Sequence, residues 1–271
     1  MNPYELAELA SVELRERSGV DSYDVAVVLG SGWKEGAVAL GTPQSAVDTS
    51  TLSGFFAPTV AGHRGEILSI EVGGASVALI AGRVHLYEGH SAQEVAHPVR
   101  SVIAAGARKV ILTNAAGGID PAVPPGRVVL IRDHLNFTAT SPLEGPAPPG
   151  GYAARFVDLS DLYNVDIRAA VRGARPDLTE GVYMGFRGPQ YETPAEINMA
   201  KTLGASLVGM STVLEAIAAR HLGADVLGLS LVSNFAAGVG DSALSHQDVL
   251  EAGQEAAASL GALLSDVLAV L

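Results

Sequence analysis

The sequence contains no cysteine among its 271 residues. This absence excludes disulfide bonds, thiolate nucleophiles and metal sites that depend on cysteine ligands. It is also consistent with a cytoplasmic protein, and the cytoplasm is the location that we expect.

Basic clusters and long apolar segments are missing as well. The net charge is −12 at pH 7, and no positive stripe of the kind that binds nucleic acid stands out. No apolar run reaches the length needed to cross a membrane. Residues 1–19 are polar and periodic, as in a surface helix, and lack the apolar core of a signal peptide. We therefore expect neither a nucleic acid nor a membrane as partner.

What the chain does have is 48 % hydrophobic residues, arranged as apolar segments that alternate with helical patterns from end to end. This alternation predicts an α/β fold with a largely buried, mostly parallel central sheet. We find no internal repeat and expect one domain over residues 1–271. The predicted strands are Asp24–Leu29, Glu66–Val72, Ala75–Ala81, Lys109–Thr113, Arg127–Ile131, Gly181–Phe186, Ser206–Met210 and Asp225–Val232. Helices are predicted at 1–19, Ser91–Gly106 and Ser160–Gly173, and after Thr193, Ser211 and Ser245.

The end of the strand Ala75–Ala81 is the most informative stretch. If the chain stays extended beyond Gly82, then Arg83, His85 and Tyr87 lie on one face, because successive strand residues point to opposite sides. Two potential cations at the end of a buried strand require an anion, since an unpaired buried charge is costly. The anion can be a ligand, or it can be Glu88 or another carboxylate. From this stretch alone the internal ion pair is favoured.

Two further segments can bind an anion. The Gly30-Ser31-Gly32 turn can present backbone N–H groups and a hydroxyl, although Glu35 stands where a dinucleotide fingerprint has its third glycine. Ser211 precedes a predicted helix, and free N–H groups at a helix N-terminus attract anions. An ordinary tight turn and simple helix capping are the alternative explanations.

Several polar residues follow predicted strands, where ligands of open α/β sheets bind. The small residues 114–118 allow close approach to the backbone. Glu192 lies just outside a helix that begins with the cap Thr193, so its carboxylate can point into a cleft or into solvent. Asp133-His134 is interpreted as structural, since no serine partner is indicated.

Two loops attract attention. Phe137–Ser160 is rich in proline and glycine and is long enough to indicate a functional loop or an interface. Phe235–Leu244 contains small hinge residues and is predicted to be a mobile lid. The last helix, capped by Ser245 and Asp248, places His246 in its first turn, against that lid.

Seven motifs, in order, resemble those of the trimeric purine nucleoside phosphorylases, with Trp33-Lys34-Glu35 indicating a bacterial branch. They cover most of the chain: Gly30-Ser31-Gly32, Gly62-His63, Gly82-Arg83-Val84-His85-Leu86-Tyr87-Glu88-Gly89, Thr113-Asn114-Ala115-Ala116-Gly117-Gly118, Gly188-Pro189-Gln190-Tyr191-Glu192-Thr193, Gly209-Met210-Ser211-Thr212 and Ser233-Asn234. The resemblance implies a three-layer α/β sandwich whose mixed sheet curls toward a barrel. It also implies a homotrimer.

The resemblance assigns roles by position. The implied phosphate ligands are Ser31, Arg83, His85, Ser211 and the backbone of Ala115, with His63 closing over them. The implied ribose contacts are Tyr87, Met210 and His246. The implied base contacts are Tyr191, Glu192 and Asn234, while Phe156 matches a residue lent to the neighbouring subunit's site. His85, Glu192 and Asn234 are the implied catalytic residues.

The implied reaction is reversible phosphorolysis of purine nucleosides such as inosine and guanosine to free base and (deoxy)ribose 1-phosphate. Inorganic phosphate is then the nucleophile, so the reaction requires neither a metal nor an organic cofactor. Two alternatives remain: a methylthioadenosine phosphorylase of the same fold and a non-catalytic nucleoside binder. Asn234 and His246 argue against the first, because such enzymes have a carboxylate in place of Asn234 and lack that histidine. Retention of every implied phosphate ligand argues against the second.

Overall fold

A computed structural model describes residues 1–56, 65–240 and 246–271, without the side chains of 246–248. Its sheet has nine strands in the order β2-β3-β4-β1-β5-β8-β7-β6-β9. The strands are β1 Val25–Leu29, β2 Ser45–Asp48, β3 Glu66–Val72, β4 Ala75–Ala81, β5 Lys109–Gly118, β6 Val128–Asn136, β7 Thr179–Gly185, β8 Leu207–Gly209 and β9 Asp225–Phe235.

The sheet is mixed and partly closed. Among the described strands, β1–β4, β1–β5, β5–β9, β6–β7 and β7–β8 pair in parallel, and the other pairings are antiparallel. Because β9 also pairs with β5, the five strands β5, β8, β7, β6 and β9 form a closed circuit. The expected curl toward a barrel is therefore confirmed, whereas the expectation of a mostly parallel sheet is too strong.

The helices are α1 Pro3–Ser18, α2 Lys34–Ala37, α3 Ala92–Ala104, α4 Val165–Ala174, α5 Pro194–Thr202, α6 Val213–His221 and α7 His246–Ala269. Capping residues determine where several of these helices begin. Asn2, Ser91 and Thr193 each accept backbone N–H groups of the first turn, and a glutamate three positions later bonds back to the cap. Each such reciprocal pair satisfies backbone donors that the helix itself cannot satisfy.

Helices cover both faces of the sheet, because β1 alternates its side chains between two apolar clusters. Ala26 and Val28 pack with α1, α3 and α6 on one face. Val25, Val27 and Leu29 pack with α4 and α7 on the other. The three-layer architecture follows from this period-two burial. In the described part of the chain, no helix is long and apolar enough to span a membrane.

Several predicted boundaries are wrong, including the end of the strand predicted to stop at Val232, which continues to Phe235 and contains Asn234. The helix predicted from Ser160 begins at Val165, because Asn164 accepts the N–H of Ile167 and acts as its cap. Residues 114–118 belong to β5 instead of following it, since they pair with β9. The strand predicted to end at Ile131 continues to Asn136 past a register shift, so the Asp133-His134 pair lies within β6.

Candidate active site

One cleft gathers the ends of strands β1, β4, β5, β8 and β9 and the segment before α5. Its empty volume, counting space that is open to solvent, is about 740 Å³. The lining residues are Ser31, Arg83, His85, Tyr87, Asn114, Ala115, Ala116, Gly117, Tyr191, Glu192, Val208, Gly209, Met210, Ser211, Ser233, Asn234, Ala236 and Val249.

The turn after β1 is held against β5 by close backbone packing. A Cβ on Gly30 would lie 2.5 Å from the carbonyl oxygen of Thr113, so only glycine fits there. The next anchor is Trp33, which is fully buried and donates its indole N–H to the carbonyl of Asn114 at 2.8 Å. Gly30 and Trp33 therefore fix the turn that presents Ser31 to the cleft.

Arg83 lines the cleft and is anchored by its neighbours. Its Nε lies 3.1 Å from Oε1 of Glu215, and both side chains are at most 4 % exposed. One terminal nitrogen donates to the carbonyl oxygen of Thr113 at 2.7 Å and makes a longer contact of 3.4 Å with the Ser211 hydroxyl. The sequence left open whether Arg83 pairs with a carboxylate of the chain. It does pair with Glu215, and it also lines the cleft. The guanidinium is held in one orientation before any ligand binds.

His85 and Tyr87 stack beside Arg83. Their ring centroids are 4.6 Å apart at 13°. The chain leaves the extended conformation here, because Leu86–Glu88 forms a 3-10 turn, and both rings nevertheless line the cleft. Burial raises the pKa of Tyr87 to about 12, so its phenol stays protonated and can donate to a sugar hydroxyl.

Glu88 holds the His85 ring. Its Oε1 accepts the backbone N–H of His85 at 2.8 Å and lies 2.9 Å from Nδ1. Burial nevertheless lowers the pKa of His85 to about 4, since desolvation outweighs the nearby carboxylate. The imidazole is therefore neutral at pH 7 in the unliganded chain. The contact to Glu88 assigns the proton to Nδ1.

Glu192, in the segment before α5, lines the same cleft. It is 8 % exposed, and its Oε1 is buried without a hydrogen-bond donor among the described residues. Burial raises the pKa of its carboxyl, and the nearby charge of Glu196 adds to this effect. A buried carboxylate oxygen without a donor is costly. The group is thus suited to accept an N–H from a ligand.

Asn234, near the end of β9, has an oriented amide. The hydroxyl of Ser233 donates to its Oδ1 at 2.7 Å, and its Nδ2 donates to the carbonyl oxygen of Phe235 at 2.9 Å. An amide nitrogen carries two N–H bonds. Within the described structure, the second one is available to a ligand in the cleft.

Ser211 stands just before the residue that begins α6. The N–H of Thr212 donates to Oε2 of Glu215 at 2.9 Å, so Thr212 makes the capping contact. The Ser211 hydroxyl is therefore not consumed by capping, and it lines the cleft. Simple capping, the alternative explanation for Ser211, is therefore the role of Thr212 instead.

Ten predicted site residues meet in this cleft: Ser31, Arg83, His85, Tyr87, Ala115, Tyr191, Glu192, Met210, Ser211 and Asn234. His63, Ser245 and the lid segment 241–244 lie outside the described residues, as does the side chain of His246. Phe156 is 93 % exposed and is absent from the described lining of its own chain's cleft. Its predicted contact with a neighbouring subunit stays a prediction.

Sequence reasoning missed the residues that orient the site. Glu215 holds Arg83 from 132 positions away, Ser233 orients Asn234, and Asn114 bonds to Thr212. Local sequence showed Glu215 only as part of a capping signature. His134, which contacts the hydroxyl of Tyr163 at 3.0 Å, is not among the described residues lining the cleft, in agreement with its structural interpretation.

A family model described as the phosphorylase superfamily matches residues 24–269. A purine nucleoside phosphorylase of Mycobacterium tuberculosis is 53 % identical over 268 residues, covering 99 % of this chain and 97 % of that relative. A purine nucleoside phosphorylase of Cellulomonas is 48 % identical and covers 98 % of this chain and 93 % of its own.

Solved structures of similar fold include a purine nucleoside phosphorylase of Schistosoma mansoni in complex with inosine. It superimposes with a TM-score of 0.88 at 27 % identity, covering 97 % of this chain and 95 % of that chain. The Schistosoma mansoni enzyme in complex with adenosine gives a TM-score of 0.89 at 28 % identity, covering 97 % and 96 % of the two chains.

Proposed function

The chain belongs to the phosphorylase superfamily, and we propose that it is a purine nucleoside phosphorylase that converts 6-oxopurine nucleosides and inorganic phosphate to free base and (deoxy)ribose 1-phosphate. One observation carries the preference for 6-oxopurines: a single cleft is lined by an arginine, a histidine and a buried carboxylate oxygen without a donor among the described residues. The arginine and the histidine suit an anion, and the carboxylate suits an N–H donor. The names of relatives at 48–53 % identity support the same activity.

The proposed phosphate subsite combines Ser31, Arg83, His85, Ser211 and the backbone of Ala115, while His63 lies outside the described residues. Arg83 supplies a permanent charge in a fixed orientation, and its planar guanidinium presents N–H donors that match phosphate oxygens. Phosphate held beside C1′ is the nucleophile. Its negative charge also stabilises the positive charge that develops on the sugar as the glycosidic bond weakens.

The bond changes are simple. The C1′–N9 bond breaks, its electron pair stays with the purine, and a phosphate oxygen forms the new bond to C1′. Asn234 donates to N7 or O6 and stabilises the negative charge on the departing base. Each such preorganised donor contributes roughly 10²- to 10³-fold in rate.

Specificity for the base follows from hydrogen-bond polarity. The Glu192 carboxylate accepts the N1–H of a 6-oxopurine, and this contact supplies the donor that Oε1 lacks within the described structure. Adenine presents an acceptor at N1, so the carboxylate would stay unpaired. A site built around such a bond discriminates by about 10⁴-fold or more. In this proposal Tyr191 lies against the base and Tyr87 and Met210 contact the ribose, while the side chain of His246 lies outside the described residues.

We also propose a homotrimer in the cytoplasm, with one domain per chain. The exposed Phe156 in the loop between β6 and α4 leaves its ring available to a neighbouring subunit, as a shared site requires. Sedimentation should give about three times the chain mass of 27.7 kDa. A fully active monomer would contradict the shared site.

The direct test measures release of free base from inosine, guanosine, adenosine and methylthioadenosine, with and without phosphate and with a chelator. We expect phosphate-dependent cleavage of inosine and guanosine that survives chelation, and far slower cleavage of the two adenine nucleosides. Full-rate cleavage without phosphate would overturn the proposal, as would a preference for methylthioadenosine.

A further inference from the structure

Thr212 adopts a backbone conformation that a β-branched residue normally avoids. Its φ is +70° and its ψ is −49°, and the N–H of Val213 donates to the carbonyl of Ser211 at 2.7 Å. These values describe a γ-turn with positive φ, which is rare and strained. Such strain persists only where the surroundings impose it, and it concentrates at functional sites.

Three elements impose this turn. Asn114 of β5 donates its Nδ2 to Oγ1 of Thr212 at 2.8 Å. Ser230 of β9 donates to Oδ1 of Asn114 at 2.6 Å. Glu215 of α6 accepts the N–H of Thr212 at 2.9 Å. All four side chains are at most 2 % exposed, so these bonds form in a medium of low dielectric, where they are strong and directional.

The bonds have a common direction. The Asn114 amide nitrogen is only a donor, so Thr212 Oγ1 must accept from it, and the Thr212 hydroxyl hydrogen is then available to Ser211 Oγ, 3.1 Å away. If Ser211 accepts that hydrogen, its own hydroxyl hydrogen points elsewhere. The chain of donors then runs from Ser230 through Asn114 and Thr212 to Ser211, and it ends in the cleft.

We propose that Thr212 is a positioning residue for the phosphate subsite, where its strained turn and its hydroxyl orient Ser211 as a donor to the bound anion. The inference rests on the proposed function, since it requires phosphate to bind at Ser211. The same turn is tied to Arg83 through Glu215, whose other oxygen lies 3.1 Å from Arg83 Nε. Thr212 thus links two proposed phosphate ligands without touching phosphate itself.

The test compares Thr212→Ser, Thr212→Val and Thr212→Gly in steady-state phosphorolysis of inosine. Thr212→Ser keeps the hydroxyl and should stay within about twofold of wild type. Thr212→Val loses it and should raise the KM for phosphate about fivefold or more, with the KM for inosine within about twofold. Thr212→Gly tolerates positive φ without strain. If Thr212→Val does not fold, Thr212→Gly still tests the loss of the hydroxyl. Its KM for phosphate should rise by a similar factor.

A remote variant and a matched control sharpen the test. Ser230→Ala removes the first donor of the chain from outside the described cleft lining and should raise the KM for phosphate by about twofold. Thr138→Val removes another buried threonine hydroxyl, which donates to Oδ1 of Asn136 at 2.6 Å. That control should leave both KM values unchanged.

The outcomes separate two failures. If wild type cleaves inosine without phosphate, and phosphate does not raise its melting temperature, the proposed function fails. If wild type depends on phosphate but Thr212→Val and Thr212→Gly keep its KM for phosphate, only the positioning role of Thr212 is wrong. An equal rise in the KM values for phosphate and inosine would indicate general structural damage and would also overturn that role.

Discussion

Buried charge is compensated differently at the proposed phosphate end and at the proposed base end of the cleft. At the proposed phosphate end, Arg83 is paired with Glu215, and His85 is neutral and held by Glu88. At the proposed base end, Glu192 Oε1 has no donor among the described residues. The charges at the proposed phosphate end are compensated within the chain. In the proposed function, the carboxylate at the base end receives its missing donor from the substrate. Binding of the anion therefore uses groups already in place, and recognition of the base relieves a cost in the free protein.

The largest effect is expected for Arg83→Lys, which tests the compensated end. Lysine keeps the charge but cannot reproduce the planar set of donors with which Arg83 bonds to Glu215 and to Thr113 at the same time. We expect kcat/KM for phosphate to fall on the order of a hundredfold, and the melting temperature to fall as well, because Glu215 loses its bond to Nε.

Arg168→Lys is the control, since Arg168 forms a partly buried ion pair with Glu180 and is not among the described residues of the cleft. Both variants are measured by steady-state phosphorolysis and thermal unfolding. If Arg83→Lys and Arg168→Lys have the same kinetics, the anion site is misplaced.

The pH dependence of stability tests whether His85 is neutral before phosphate binds. Burial lowers the pKa of both His85 and His134 to about 4, below the usual 6.5. Between pH 6.5 and 4 the unfolded chain binds more protons, so stability falls as the pH falls through this window. From pH 7 to 5, each histidine should account for a loss of about 1–2 kcal/mol.

Phosphate binding should distinguish the contribution of His85 to the pH dependence of stability from that of His134. A bound dianion beside His85 favours the imidazolium and raises its pKa, so saturating phosphate should reduce the contribution of His85 to the pH slope. The contribution of His134, away from the described cleft lining, should persist. Melting temperatures of His85→Gln and His134→Gln at pH 7 and 5, with and without phosphate, measure both contributions. An identical response of the two variants to phosphate would refute the assignment.

Glu192→Gln tests the uncompensated end and should separate activity from stability. Loss of a charge-assisted bond to the base, worth about 1–2 kcal/mol, lowers kcat/KM for inosine roughly tenfold. Because the variant no longer buries a carboxylate, its melting temperature without ligand should equal or exceed that of wild type. Glu16→Gln, exposed on α1, is the control. A lower melting temperature together with wild-type kinetics would contradict the comparison between the two ends.

Asn234→Asp should change which base is accepted more than how fast the preferred one reacts. An ionised aspartate can only accept hydrogen bonds, so it loses the contact to O6 and gains one from the amino group of adenosine. We expect the ratio of kcat/KM for inosine to that for adenosine to fall about tenfold. Asn198→Asp, exposed on α5, should leave the ratio unchanged. An unaltered ratio in Asn234→Asp would place the base elsewhere in the cleft.

The smallest effect is expected for Phe156→Ser. This side chain is 93 % exposed within its own chain, so the fold does not depend on it. If it completes a neighbouring site, kcat/KM should fall a few-fold, about 1 kcal/mol in transition-state stabilisation, while the far-ultraviolet circular dichroism stays unchanged. Phe56→Ser is a less exposed comparison, at 42 %. Wild-type kinetics in Phe156→Ser would remove the residue from the site.

Sequence patterns predicted some elements to the residue. Strands Glu66–Val72 and Ala75–Ala81 have the expected ends, because the Gly73-Gly74 turn between them is a local signal. The start of α4 was wrong for an equally local reason, since Asn164 competes with Ser160 as a cap and bonds the first turn. Where several residues compete for one turn, the local pattern does not choose between them.

The amino-acid sequence by itself determined which chemical groups are present and that they lie near strand ends in an α/β fold: Arg83, His85 and Ser211 of the proposed anion site, and Glu192 and Asn234 of the proposed base site. Only the tertiary structure decided their states, through Glu215 beside Arg83, the neutral His85 and the strained Thr212. The physical reason is that desolvation and buried hydrogen bonds depend on neighbours in space. For Arg83 and Glu215, those neighbours lie 132 positions apart in the chain.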